Sequence, residues 1–250
     1  MAAPPLTRIP LAGGGQETLL SEVGLQYLLP LFTTRDACAL RLVCREFLAA
    51  VSEQPWEDSE TVIQGSLAAW RACFPRACAA NVSQRTVWAG GRATSVVDAD
   101  FAHLQGLRVL NMGGCKSVTD AAFAHLRGIH ALDMRGCSQA SITDAAFAHL
   151  RGVHTLLMSG CNQDSITDAA FVHLRGIHTL DMQNCSQGGI TDAALAHLAG
   201  IQSLDLSYSS ARITGRTFGR LAGCARLFVS EDRLDLAGAA KALGLPCVVY

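Results

Sequence analysis

Residues 142–161 read "ITDAAFAHLRGVHTLLMSGC", and the phrase returns nearly verbatim at 118–137 ("VTDAAFAHLRGIHALDMRGC"), 166–185 ("ITDAAFVHLRGIHTLDMQNC") and 190–209 ("ITDAALAHLAGIQSLDLSYS"). One unit is short enough to read atom by atom. Thr143 stands where a helix N-cap belongs, and Asp144 follows in the first turn, where the helix dipole favours an anion. Ala145 and Ala146 are strong helix formers. Ala146, Phe147 and Leu150 share one helical face, which predicts that this face is buried. Arg151 lies in the last turn, and Gly152 supplies the left-handed residue that ends a helix. Val153, Leu156 and Met158 then point inward from a short strand, and Cys161 closes the turn.

A helix and strand of this size cannot bury their apolar faces alone, whereas a stack of them can. Met112, Met134, Met158, Met182 and Leu206 fall into register at spacings of 22, 24, 24 and 24 residues, and Val229 follows after 23. Backwards, Ala80-Asn81-Val82 fits, with a six-residue insertion around Val87–Arg92. "PCVVY" at the C-terminus supplies a last half-unit, which brings the expected number of strands to about eight. The spacing Leu-x-x-Leu-x-Leu-x-x-Cys recurs at Leu107, Leu110, Met112, Cys115 and at Ile129, Leu132, Met134, Cys137. It recurs again at Val153, Leu156, Met158, Cys161 and at Ile177, Leu180, Met182, Cys185. This pattern resembles the cysteine-containing leucine-rich repeats. The expected fold over residues 79–250 is a right-handed α/β solenoid, parallel strands lining its concave face and helices its convex one.

The repeated cysteine and histidine raise the question of metal or redox chemistry. Stacked strands sit roughly 4.8 Å apart, so Cys115, Cys137, Cys161 and Cys185 form a ladder. The reading preferred here is a buried thiol donating to turn carbonyls; Ser209 replaces the cysteine in the next unit, so the position does not require sulfur. Zinc or disulfides are the alternatives that spacing allows. His103, His125, His149, His173 and His197 fall on the convex, wet side, and His130, His154 and His178 at the strand entrance. Copying of one unit accounts for both rows, so neither is expected to hold a metal. No Gly-x-Ser-x-Gly, His-Glu-x-x-His, Cys-x-x-Cys or phosphate loop occurs, so an enzyme is not expected, nor a cofactor.

Half the residues are hydrophobic and 16% charged, which excludes wholesale disorder. The formal net charge is −1, and lysine stands only at 116 and 241, so neither nucleic acid nor an anionic membrane is an expected partner. There is no signal-peptide h-region and no apolar run of membrane-spanning length. An intracellular, cytoplasmic or nuclear location is expected, with the ten cysteines as thiols.

Ahead of the repeats, residues 1–17 are rich in Pro and Gly. Residues 18–58 have a helical texture, with Thr34 as the expected N-cap of one helix. In 59–78 a further helix is expected from Ser66 to Cys73, stopping at Pro75. The stretch "LSEVGLQYLLPLFTTRDACALRLVCREFLAAVSEQPWED" resembles an F-box, the small helical module that docks on the ligase adaptor Skp1. Leu20, Glu22, Leu25, Leu28, Leu29 and Phe32 fall where that motif carries its first apolar row. Leu40, Val43, Cys44, Arg45 and Phe47 match its second, and Trp56 follows at the customary distance. The resemblance implies that these residues bind a Skp1-like adaptor and, through it, a cullin. F-box plus leucine-rich repeats implies a substrate receptor of a ubiquitin ligase. The alternative is an interaction scaffold outside any ligase, whose helices only cap the first repeat.

The target of either would meet the outward residues of the strands. One row reads Asn81, Asn111, Asp133, Leu157, Asp181, Asp205, Phe228, and the next Ser83, Gly113, Arg135, Ser159, Gln183, Ser207, Ser230, with Tyr208 beside them. Among these, Asn111, Asp133, Arg135, Leu157, Asp181, Gln183, Asp205, Tyr208 and Phe228 are the candidate target-binding residues. Three aspartates and two apolar side chains in one row suit a basic or mixed protein segment.

Overall fold

The computed structural model describes residues 27–83 and 95–249. Eight strands form one parallel sheet in sequential order: β1 (Ala79–Asn81), β2 (Val109–Asn111), β3 (Ala131–Asp133), β4 (Thr155–Leu157), β5 (Thr179–Asp181), β6 (Ser203–Asp205), β7 (Arg226–Val229) and β8 (Cys247–Val249). The register follows the repeat: Asn81, Asn111, Asp133, Leu157, Asp181, Asp205 and Phe228 are successive partners across the sheet. The insertion around 87–92 lies outside the described residues.

Each coil contributes the same set to the core. In the unit quoted above, Ile142, Ala146, Phe147, Leu150, Val153, Leu156, Met158 and Cys161 are all buried. Phe101, Phe123, Phe147 and Phe171 stack at the repeat period with no exposed surface; Leu195 takes the next place and Phe218 the one after. Burial of a phenylalanine or leucine contributes roughly 1.5–3 kcal/mol.

The convex layer is slimmer than expected. Full helices are replaced by single α-turns at Asp120–Phe123, Asp144–Phe147, Asp168–Phe171 and Asp192–Leu195, and by 3-10 turns such as Ala124–Leu126 and Val172–Leu174. The first coil is wholly 3-10, Asp98–Leu104. Strands about 4.8 Å apart cannot be matched outside by helices about 10 Å wide without strong curvature. A tightened turn takes less width per coil. Thr143 caps the turn as expected, its Oγ1 accepting from Ala145 N, and Gly152 ends it at φ +84°.

Asp144 does more than face a dipole. Its carboxylate accepts from the backbone N and the hydroxyl of Thr167 in the next coil, both at 2.7 Å. Asp98 to Thr119, Asp120 to Thr143, Asp168 to Thr191 and Asp192 to Thr214 repeat the clamp. A second ladder was not foreseen: Gln139, Gln163 and Gln187 donate from Nε2 to the carbonyls of Cys115, Cys137 and Cys161.

Among the described residues a 3-10 turn (Leu29–Leu31) and the helices α1 (Thr34–Leu40), α2 (Arg45–Glu53) and α3 (Leu67–Cys73) precede the coils. The cap of α1 is Thr33, one residue earlier than expected, in a reciprocal capping box with Asp36. Thr34 instead donates its N–H and hydroxyl to Asp58, at 2.8 and 2.9 Å. Burial alone would raise the Asp58 pKa, but these bonds and the Thr61 N–H hold it below the usual value. α3 is capped by Ser66 as expected. Ile63 N donates to Asn81 O at 2.8 Å, so residues 62–63 cover the outer edge of β1.

Candidate interaction surfaces

The cysteine ladder is a structural hydrogen-bond series. Cys137, Cys161 and Cys185 donate from Sγ to the carbonyls of Met112, Met134 and Met158 in the preceding coil, at 3.2–3.3 Å, and Cys115 to Val82 at 3.4 Å. Burial pushes the Cys137 thiol up to about 11, the Cys185 thiol up to about 12 and the Cys161 thiol well above its ordinary value. Burial thus favours the neutral, protonated thiol that donates to these carbonyls. Among the described residues no group of three or more His, Cys, Asp or Glu could hold a metal ion.

The convex histidines are half-buried rather than fully wet. Gln105 contacts His125 Nδ1 at 2.7 Å, Arg127 Nε donates to His149 Nδ1 at 3.4 Å, and Arg175 lies 3.5 Å from His197 Nδ1. This row therefore stitches coils together. The row at the strand entrance forms a stack, with ring centroids 4.7 Å apart for His130–His154 and 4.4 Å for His154–His178.

On the concave face the outward rows run as the sequence places them, with Asn111, Asp133, Leu157, Asp181, Gln183, Asp205 and Phe228 half-buried. Each polar side chain of the first row closes the end of its strand. Asn111, Asp133, Asp181 and Asp205 accept from the backbone N of Gly113, Arg135, Gln183 and Ser207, at 2.8–3.1 Å. Their charges differ in fate. Arg135 makes a bidentate pair with Asp133, Nε to Oδ1 at 2.9 Å and Nη2 to Oδ2 at 2.5 Å. That carboxylate in turn raises the Arg135 pKa. Neither Asp181 nor Asp205 is in an ion pair among the described residues. Burial raises the Asp181 pKa and repulsion from Asp205 adds to the rise, while the Gln183 N–H and Arg135 oppose it.

Tyr208, half exposed at 51%, occupies a left-handed position, φ +54°. Gly114, Gly136, Gly160 and Asn184 hold the same place in earlier coils. A bulky residue there is a backbone outlier, costing about 1 kcal/mol or more. A further outward row went unread in the sequence: Val109, Ala131, Thr155, Thr179, Ser203 and Arg226, two residues before the first row, where strand alternation places it on the same face.

The motif residues at the N-terminus divide into three groups. Leu20, Glu22 and Leu25 lie outside the described residues. Leu29 and Trp56 are buried, each 2% exposed, and so offer no docking surface. Trp56 donates its indole N–H to Val51 O at 2.8 Å, stacks edge-on against Phe74, and accepts from Cys78 N and Ala79 N. It fastens the helices to β1. Leu28, Phe32, Val43 and Arg45 are exposed, and Leu40 and Cys44 half-buried. Sequence reasoning missed Tyr27, Leu31, Leu42 and Leu48, all exposed. Their exposure could not be read from apolar type alone.

No family model matches the chain, and no curated protein matches it. Among solved structures it is similar to TLR13 in complex with ssRNA13, with TM-score 0.47 and 17% identity over 69% of this chain and 27% of that one. It is also similar to the Rad7–Elc1 complex of yeast, with TM-score 0.47 and 19% identity over 61% of this chain and 44% of that one. Internalin C2 of Listeria monocytogenes gives TM-score 0.42 and 22% identity over 62% of this chain and 67% of that one. The chain thus spans about a quarter of the first of these, under half of the second and two thirds of the third. With eight parallel strands among the described residues, β2 to β7 at a 22–24-residue period, and an inward Leu-x-x-Leu-x-Leu pattern, the chain is a leucine-rich-repeat solenoid whose strands line an extended concave face.

Proposed function

We propose that the chain is a substrate-recognition subunit of a Skp1–cullin–F-box ubiquitin ligase, its helical segment holding a Skp1-like adaptor and its concave face a target protein. One observation carries the reading beyond a plain cap. Between residues 27 and 48, seven large apolar side chains stand exposed: Tyr27, Leu28, Leu31, Phe32, Leu42, Val43 and Leu48. Helices that only sealed the first coil would bury such groups against it, and apolar surface left in water marks a docking face. The exposed Val43 lies inside the motif's "VCR", next to Cys44 and Arg45.

A pull-down with purified Skp1 tests this. Leu31→Asp with Val43→Asp is the informative pair, because both positions are already in water, at 78% and 68% exposure. Charge at the buried Leu29 would unfold the segment instead. Loss of Skp1 with unchanged circular dichroism and melting supports the ligase role. If the wild type fails to bind Skp1 at micromolar concentration, the protein is a scaffold acting through its concave face alone.

A further inference from the structure

One lateral edge of the solenoid carries positive charge and no carboxylate. It is the edge where each coil passes from its outer turn into its strand, formed by residues 103–108, 125–130, 149–154, 173–178, 197–202 and 220–225. These segments contain all eight histidines of the chain and not one aspartate or glutamate. They also contain five arginines, Arg108, Arg127, Arg151, Arg175 and Arg220, every one exposed. The chain as a whole has a formal net charge of −1, so this is segregation of charge and not general basicity. The opposite edge mixes both signs, as with Lys116 and Asp120 or Arg212 and Asp192.

Nothing within the molecule neutralises the arginines. The ion pairs among the described residues are Arg135–Asp133 and Arg233–Asp235, both elsewhere. Arg127 and Arg175 instead contact the rings of His149 and His197, at 3.4 and 3.5 Å, and imidazole is neutral or positive but never negative. The strand-entrance row continues the pattern from coil to coil, Arg108 preceding the stacked His130, His154 and His178. Between the two rows Gly128, Gly152 and Gly176 leave open space, with no atom within 4 Å of an added Cβ. Coils repeat roughly every 4.8 Å at the strands, well inside the screening length of about 10 Å at 0.1 M salt. The potentials of neighbouring guanidinium groups therefore add, and a row of anions laid along the edge meets several at once.

We infer that this edge is a docking surface for an acidic segment of a partner protein, separate from the concave face and from the helical segment. The borders favour a peptide over other anions. Asp133, Asp181 and Asp205 stand three residues beyond His130, His178 and Gln202. On the other side Asp120, Asp144, Asp168 and Asp192 stand five residues before the convex histidines. A peptide can set carboxylates on the band and neutral residues over both borders. A nucleic acid carries a phosphate on every nucleotide and an anionic bilayer a plane of charge, so either brings anions against those aspartates. The band also has no Phe, Tyr or Trp on which bases could stack. Arginine suits carboxylates, which its planar fork can grip in pairs.

The test titrates the whole protein, at low salt, into fluorescently labelled decaglutamate and follows anisotropy. Saturable binding is expected, and none with decalysine. Arg108→Gln, Arg151→Gln and Arg220→Gln together should weaken decaglutamate at least tenfold. These three side chains make no hydrogen bond or ion pair among the described residues, so the melting temperature should not move. Arg151→Gln alone should weaken binding about threefold, a readout that does not depend on the stability of the triple variant. Arg35→Gln, Arg212→Gln and Arg216→Gln remove the same charge from exposed positions off the edge, and should weaken binding less than twofold. Equal losses in the two triple variants, or no saturable binding by the wild type, would overturn the inference. So would tighter binding of decathymidylate or of phosphatidylserine vesicles than of decaglutamate, which would assign the edge to nucleic acid or to membrane. The inference does not rest on the ligase reading, which the Skp1 pull-down tests on other residues.

Discussion

Replacing Asp144 by alanine should loosen the solenoid at its middle. Asp144 accepts from Thr167 N and Thr167 Oγ1, both at 2.7 Å, and so ties two coils together from the convex side. Hydrogen bonds to an ionised acceptor contribute about 1.5–3 kcal/mol each. Both residues are half-buried, so the lower figure applies, and the two bonds give about 3 kcal/mol. Alanine also strands the Thr167 N–H. Asparagine keeps one carbonyl acceptor but no charge, and should cost about 1 kcal/mol. Against a total of about 5–15 kcal/mol the alanine loss is large. In a solenoid each coil contacts only its neighbours, so weakening one interface should also let the two halves unfold separately. The tryptophans at 56, 70 and 88 all lie before that interface. Urea unfolding followed by tryptophan fluorescence should therefore part company with unfolding followed by far-ultraviolet circular dichroism. Coincident curves with a loss below about 0.5 kcal/mol would refute the view that the Asp–Thr clamp couples the coils.

Four further outcomes are expected. Cys161→Ser should cost about 1–2 kcal/mol in urea unfolding, because the shorter hydroxyl falls short of the Met134 carbonyl; Ser209, the native serine of the series, already has an unpartnered hydroxyl. Stability should fall at alkaline pH: unfolded Cys137 ionises near its ordinary pKa of 9.0 while the folded thiol holds its proton to about 11. That loss, read from melts between pH 8 and 11, should be about 2–3 kcal/mol for this thiol and smaller in Cys137→Ala. Tyr208→Gly should raise stability by about 1 kcal/mol by relieving the left-handed backbone, while weakening target capture. Asp58 has a folded pKa below its ordinary value, so its contribution is complete above about pH 4 and lost as pH falls below that; Trp56 fluorescence should then change before the far-ultraviolet signal of the coils.

The fold was legible because its information is periodic. The inward residues repeat every 22–24 positions, and any stack that buries Phe147, Leu150, Leu156 and Met158 together must place their counterparts in line. Thr143 as cap, Gly152 as terminator and the cysteine as a donor to turn carbonyls were legible for the same local reason. What escaped were bonds between coils. Asp144 was read against its own helix, yet its acceptors serve Thr167, and nothing within one unit points across the gap. The slim outer turns follow from matching strand spacing, a constraint of the stack and not of the unit. At the N-terminus Leu28 and Leu29 are identical in type and adjacent, yet one is exposed and the other buried. Thr33 and Thr34 pose the same ambiguity for the cap. On the concave face the aspartates were visible as a row, but the neutralisation of Asp133 by Arg135 was not.

The interlocks between successive coils are interchangeable, and this bears on how such a molecule can change. Asp120 grips Thr143 as Asp144 grips Thr167, and Cys137 reaches back to Met112 as Cys161 does to Met134. Excising residues 142–165 would bring Asp120 to Thr167 and Cys161's neighbour Cys185 to Met134, so every joint would still find its mate. The same excision would remove Leu157 and set Asp133 beside Asp181. Gain or loss of one coil thus re-spells the recognition face in a single step while the scaffold closes up unchanged, giving a lineage a way to try new partners without first solving a folding problem.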